Sequence, residues 1–154
     1  MAIKPKISTR PDSPVKTTSI MDAKTQLVIS YQYLSLDNKK YSMDEIGDNR
    51  TKIGFYQDYF EKIKEYCSYN NFKKQIRENG RYRDRNHIHQ IDWKDSRIKE
   101  RSFNSLNDAL MKQIQGDCWQ LGINNQNFRI HGFFIENVFY VVWMDPNHKL
   151  YPQK

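Results

Sequence analysis

"NFRIHGFFIENVFYVVWMDPNHKLYP", residues 127–152, is the stretch on which the fold turns. It gathers four Phe, two Tyr, one Trp and three Val around a polar minority that includes Arg129, His131 and His148. Placing Glu136 and Asn137 in a two-residue turn sets Ile135 opposite Val138 and Phe133 opposite Tyr140. Alternate residues of a strand share a face, so one side carries Arg129, His131, Phe133 and Ile135 with Val138, Tyr140 and Val142. The other carries Phe128, Ile130, Gly132 and Phe134 with Phe139, Val141 and Trp143; it is wholly apolar and is expected to face the core. The mixed side brings an Arg, a His and a Tyr together, and a one-residue slip would scatter them.

Upstream, "TQLVISYQYL" alternates Leu27, Ile29, Tyr31 and Tyr33 with polar or small residues, which predicts a first strand. Ser42 and Glu45 have the spacing of a capping box, but Gly47 limits it to a short turn. Ile53, Tyr56, Phe60, Ile63 and Cys67 recur at helical spacing, predicting the main helix with that stripe turned to the sheet. "NNFKKQIRENG" predicts a shorter helix capped near Asn71 and ended by Gly80; "HIHQIDW" predicts a strand. "NSLNDALMKQIQG" predicts a helix capped by Asn104 or Ser105, and "CWQLGI" the strand before the hairpin. The order implies an α+β fold: an antiparallel sheet of about four to five strands with helices packed mainly on one face.

At 154 residues the chain has the size of one domain, read here as a flexible basic arm over residues 1–23 and a single α+β domain over residues 24–154. No run of 18 apolar residues exists and the first residues lack a signal-like apolar segment, so a cytoplasmic protein with no membrane partner is expected. Cys67 and Cys118 stand far apart without a CxxC, against a disulfide framework or thiolate zinc site.

The net charge of +7 is concentrated: residues 1–24 contribute +3 and residues 73–101 contribute +5. Basic segments concentrate polyanions and release counterions from the phosphates they neutralise. In the second segment Lys73, Lys74, Arg77, Arg81, Arg83 and Arg85 are interleaved with aromatic rings, of which Tyr82, between two arginines, is expected to be exposed for base stacking. His87 and His89 are expected on one face of a strand, in contact with phosphates or bases. They could supply two imidazole ligands, but zinc takes a third and usually a fourth, so no metal and no cofactor is assigned. Nucleic acid, RNA above DNA, is the expected partner.

The hairpin trio adds a second expectation. Attack of a ribose 2′-hydroxyl on its own phosphodiester needs a proton acceptor, a cation on the developing charge and a donor for the leaving oxygen. Arg129 would hold phosphate, His131 and Tyr140 would move protons, and His148, beyond the "DPN" turn, would assist; these four are the candidate catalytic residues.

The tail "RIHGFFIENVFYVVWMDPNHKLYP", with "HIHQIDW" and "LVISYQYLSLD", resembles a family of small uncharacterised bacterial proteins, across most of residues 25–152. That resemblance implies kinship and no activity. Arg129, His131 and the "HKLY" around His148 and Tyr151 also look like the ending of RelE-type and YoeB-type toxins, compact basic sheet proteins that cut messenger RNA; the chain is longer than those. The first expectation is therefore a small nucleic-acid-binding protein, an accessory component of a defence or mobile-element system. The alternatives are a metal-independent endoribonuclease of the toxin type, whose partner would be an antitoxin, and a protein-interaction module or inhibitor without a nucleic-acid role.

Overall fold

The computed structural model describes residues 25–152; the expected arm over residues 1–23 lies outside them. Five strands, β1 (Val28–Ser30), β2 (His89–Gln90), β3 (Cys118–Gly122), β4 (Arg129–Ile135) and β5 (Val138–Asp145), form one sheet in the order β1-β5-β4-β3-β2. All neighbours are antiparallel except β1 and β5, which run parallel, so the sheet is mixed. The helices are α1 (Asn49–Cys67), α2 (Phe72–Glu78), α3 (Gly80–Arg85) and α4 (Asp108–Ile114), with a short 3-10 turn over Met43–Glu45 capped by Ser42. The fold is α+β.

The central hairpin has the expected register at its turn: Ile135 faces Val138 and Phe133 faces Tyr140. Farther along, the register shifts between His131 and Gly132, so that His131 faces Trp143 while Gly132 faces Val141. Val142 is the extra residue of a β-bulge, which turns Val142 and Trp143 to the same side. Trp143 therefore sits on the His131 face, not with Val141 as strict alternation requires.

Both faces of the sheet are consequently cores. On one, Phe128, Ile130, Phe134, Phe139 and Val141 meet Tyr59 and Tyr66 of α1, Phe72 and Ile76 of α2, and Tyr82 of α3. On the other, Phe133, Val142 and Trp143 meet Tyr41, Trp93, Ile98, Phe103 and Ile114. Three helices cover the first face; α4 and irregular chain cover the second.

Several local expectations change. The buried stripe of α1 is Tyr59 and Tyr66 with Phe55 and Ile63 against them, whereas Ile53 and Phe60 are 60% and 64% exposed and Tyr56 is also exposed. Helix α2, capped by Asn71, ends before Gly80 as expected, but a further helix, α3, starts there with Asn79 as its cap and turns Tyr82 inward against Tyr69 at 5.1 Å. Tyr82 is 4% exposed, so it is a core ring and not the stacking platform expected of it. Strand β2 is shorter than "HIHQIDW" suggests, and α4 is capped by Asn107.

Candidate functional site

Helix α3 ends at Asn86, and the next two residues close a Schellman motif: Ile88 N donates to Arg83 O at 2.9 Å and His87 N to Asp84 O at 3.3 Å. The motif requires a left-handed residue after the cap, a position that favours glycine, yet His87 occupies it with φ 53°. Asn86 fixes the turn by donating to Tyr82 O at 2.9 Å and accepting from Lys62 at 2.7 Å. Gly122 at the end of β3 lets this turn come close, since a Cβ there would lie 2.1 Å from Asn86 O. His148, in the loop after β5, is likewise left-handed at φ 53°. Non-glycine residues held in this region mark places where the fold over-determines a side chain's position.

These two turns, the edge strand β2, the middle of β3 and the start of β4 line a cleft of about 570 Å³. Its lining includes Arg83, His87, His89, Arg97, Gln120, Arg129, His148 and Tyr151. Three of the chain's four histidines thus meet three arginines. The structure joins Arg129 and His148, expected in one group, to Arg83, His87 and His89, expected in another.

Arg129 is 2% exposed. Its Nη1 donates to Asn124 O and Phe128 O and its Nη2 to Gln126 O, each at 2.9 Å, while Nε has no partner. It is in no salt bridge among the described residues; three carbonyls solvate its charge, and the buried Asp145 carboxylate, its cross-strand neighbour, acts on it without direct contact. Arg83 is anchored by Nη1 to Ile76 O and Arg77 O at 2.7 and 2.9 Å. Arg97 is paired with Asp95 at 2.6 Å and lies over the Tyr151 ring, which packs edge-on against His89 with centroids 4.6 Å apart.

Burial, then the Arg129 charge, lowers the pKa of His148 to about 4. Burial also lowers His87, with Arg129 and Lys62 acting the same way, and His89, with His131, Arg97 and Arg129 adding to it. All three imidazoles are neutral near pH 7.

A pH dependence of stability follows. The unfolded chain protonates His148 near pH 6.5, whereas the folded chain holds it neutral down to about pH 4. Between these values the unfolded state binds more protons, so stability is full above pH 6.5 and falls as pH drops. His148 is expected to remove about 3 kcal/mol between pH 7 and pH 4, with His87 and His89 adding in the same direction. Urea unfolding at stepped pH checks this, and a His148→Asn variant should flatten the curve.

His131 and Tyr140 do not join the cleft. His131 is 0% exposed, donates from Nε2 to Asp145 at 3.0 Å, and has Tyr41 and Trp143 rings edge-on at 6.3 and 6.5 Å. Burial would raise the Asp145 carboxyl, but the bond and charge of His131 and the N–H groups of Lys149 and Leu150 hold it below its usual range. Tyr140 stacks on Phe133 at 5.1 Å and contacts Tyr33. The trio expected to emerge together into solvent is therefore split, because the bulge brings Trp143 over His131.

Lys73 and Arg77 converge on Asp117 at 3.8 and 2.9 Å, Lys74 and Arg81 are exposed, and exposed Arg85 lies over the Tyr82 ring at 6.0 Å. Gln120 and Arg97 were not legible as site residues. Gln120 is an ordinary strand residue in sequence, and only the pairing of β3 with β2 brings it to the cleft.

Among the described residues no helix is long and apolar enough to cross a membrane, and no group of three or more His, Cys, Asp or Glu is placed to hold a metal ion. Cys67 and Cys118 are unpaired.

Fold and cleft together define a small α+β protein with a mixed five-stranded sheet and an imidazole-rich, cationic depression at one edge. The chain belongs to the family described as uncharacterised protein UU032, which matches residues 30–154. Comparison with curated proteins and with solved structures gives no match.

Proposed function

We propose that this protein binds single-stranded nucleic acid along a groove that passes through the cleft, seating a backbone phosphate against Arg83 and Arg129. The observation that carries this reading is the buried Arg129 guanidinium at the cleft, a cation with an unpartnered Nε–H and no carboxylate paired to it. A buried charge in that state favours an anionic ligand.

An extended ligand is favoured over a small anion because the cleft does not stand alone. Arg83, His89 and Gln90 are shared with an adjoining recess lined also by Arg77 and Trp119. Arg77 is shared in turn with a recess beside Lys73, Glu136 and Asn137. Exposed Lys74, Arg81 and Arg85 add to the cationic surface along these elements.

Affinity for a single-stranded oligonucleotide, followed by fluorescence anisotropy, is expected to fall steeply with salt, and Arg77→Ala with Arg83→Ala to reduce the log–log slope by roughly 1.4. His87→Gly separates function from folding. It relieves the left-handed strain and should stabilise the protein by up to about 1 kcal/mol, yet weaken binding roughly five- to tenfold. Salt-independent binding, or none, would overturn the proposal.

The toxin-like ending agrees with a basic, RNA-directed surface, but with His131 sealed beneath Tyr41 and Trp143 no cleavage step is assigned to the hairpin trio. A second reading, a protein-interaction module with no nucleic-acid role, is favoured by the exposed stripe of Ile53, Tyr56 and Phe60 on α1. Its distinguishing result is a protein complex that survives high salt and is lost in Phe60→Asp.

A further inference from the structure

The cleft presents acceptors as well as cations, and phosphate oxygens cannot satisfy acceptors. His89 Nδ1 lies 3.0 Å from Gln90 O. A carbonyl only accepts, so the hydrogen is on Nδ1 and the Nε2 of the neutral ring is an acceptor. Gln120 Nε2 donates to His87 O at 3.1 Å, which fixes the amide's orientation. Its Oε1 is left without a partner on a side chain 1% exposed.

His89 and Gln120 are direct partners across β2 and β3, which sets their side chains next to each other on one face. Gln120 in turn faces His131, and Arg129 stands two residues along β4 on the same face. Two oriented acceptors therefore adjoin one buried cation in a cleft whose volume, about 570 Å³, suits a single nucleotide.

We infer that the cleft reads a ribose 2′-hydroxyl beside the phosphate it binds, the hydroxyl donating to the His89–Gln120 acceptor pair while a phosphate oxygen lies against Arg129. The inference rests on the groove being a nucleic-acid site and adds that it selects RNA over DNA. A 2′-deoxyribose has no hydroxyl there to donate, so the acceptors stay unsatisfied and binding weakens. The same adjacent hydroxyl and phosphate occur in a free ribonucleotide, so the test includes both sources.

The experiment measures anisotropy of matched uridine and deoxyuridine oligonucleotides at fixed salt, with uridine 3′-monophosphate and its 2′-deoxy form as competitors. The wild-type protein is expected to bind the RNA about tenfold more tightly than the DNA. His89→Phe keeps the ring against Tyr151 but removes the acceptor, and is expected to abolish the preference, bringing RNA and DNA affinities together. Gln120→Leu should act in the same direction, with circular dichroism reporting that each variant folds. Competition by the ribonucleotide at concentrations comparable to the oligonucleotide supports a free nucleotide as the source; tighter oligonucleotide binding supports RNA. Equal wild-type affinity for RNA and DNA, or a preference that persists in both variants, overturns the inference while leaving the groove intact. Failure to bind either polymer removes the groove reading itself and the inference with it.

Discussion

Asp145→Ala is expected to destabilise the protein by about 3–5 kcal/mol, the range for breaking a buried pair by removing one partner. Asp145 is 0% exposed and accepts from His131 Nε2 at 3.0 Å, Lys149 N at 2.8 Å and Leu150 N at 3.0 Å. Alanine leaves all three donors buried without an acceptor. The two backbone bonds also hold the tail after β5, which delivers His148 and Tyr151 to the cleft. The cleft should therefore loosen along with the core. For a chain of this size the loss corresponds to a fall in Tm of about 10 °C or more. Asp145→Asn, which keeps a carbonyl acceptor, should lose less. Urea denaturation of both variants is the measurement; a loss under about 1 kcal/mol in Asp145→Ala would contradict the role assigned to this carboxylate.

Gly132→Ala is expected to be at least as damaging. A Cβ at Gly132 would lie 2.0 Å from Tyr140 O and 2.9 Å from Phe139 Cζ. The nearer atom is backbone of the paired strand, so no rotamer change relieves the clash and the bulge must deform. A loss of about 3 kcal/mol or more is expected, at or beyond the upper end of ordinary overpacking. Gly54→Ala supplies the control. Gly54 lies within α1 and a Cβ there meets nothing within 4 Å, so alanine should stabilise by about 0.5–1 kcal/mol. Thermal denaturation of the pair tests whether close strand approach, and not glycine removal in general, is responsible.

The sequence carries the hairpin because Glu136 and Asn137 are a polar break between two apolar runs, and the observed register begins as a two-residue turn there requires. It does not carry the bulge: three consecutive apolar residues, Val141, Val142 and Trp143, fit either face, and packing chose to place Trp143 over His131. The same ambiguity rotates α1. Two aromatic stripes run along that helix, and hydrophobic spacing alone does not say that Tyr59 and Tyr66 face the sheet while Phe60 does not. The cleft was legible only in fragments. Arg129 and His148 were visible in the tail, and Arg83, His87 and His89 in the basic middle, but these segments are forty or more residues apart. Their meeting depends on β2 pairing with β3, and on a left-handed turn at a histidine that sequence patterns assign to glycine.

Histidine-selective NMR during titration with a single-stranded oligoribonucleotide tests the central claim most directly, because the sealed His131 serves as an internal reference. Binding in the cleft predicts large shifts of the His87 and His89 imidazole signals with His131 moving far less. Saturable binding that leaves His87 and His89 unmoved would place the ligand elsewhere and contradict the claim.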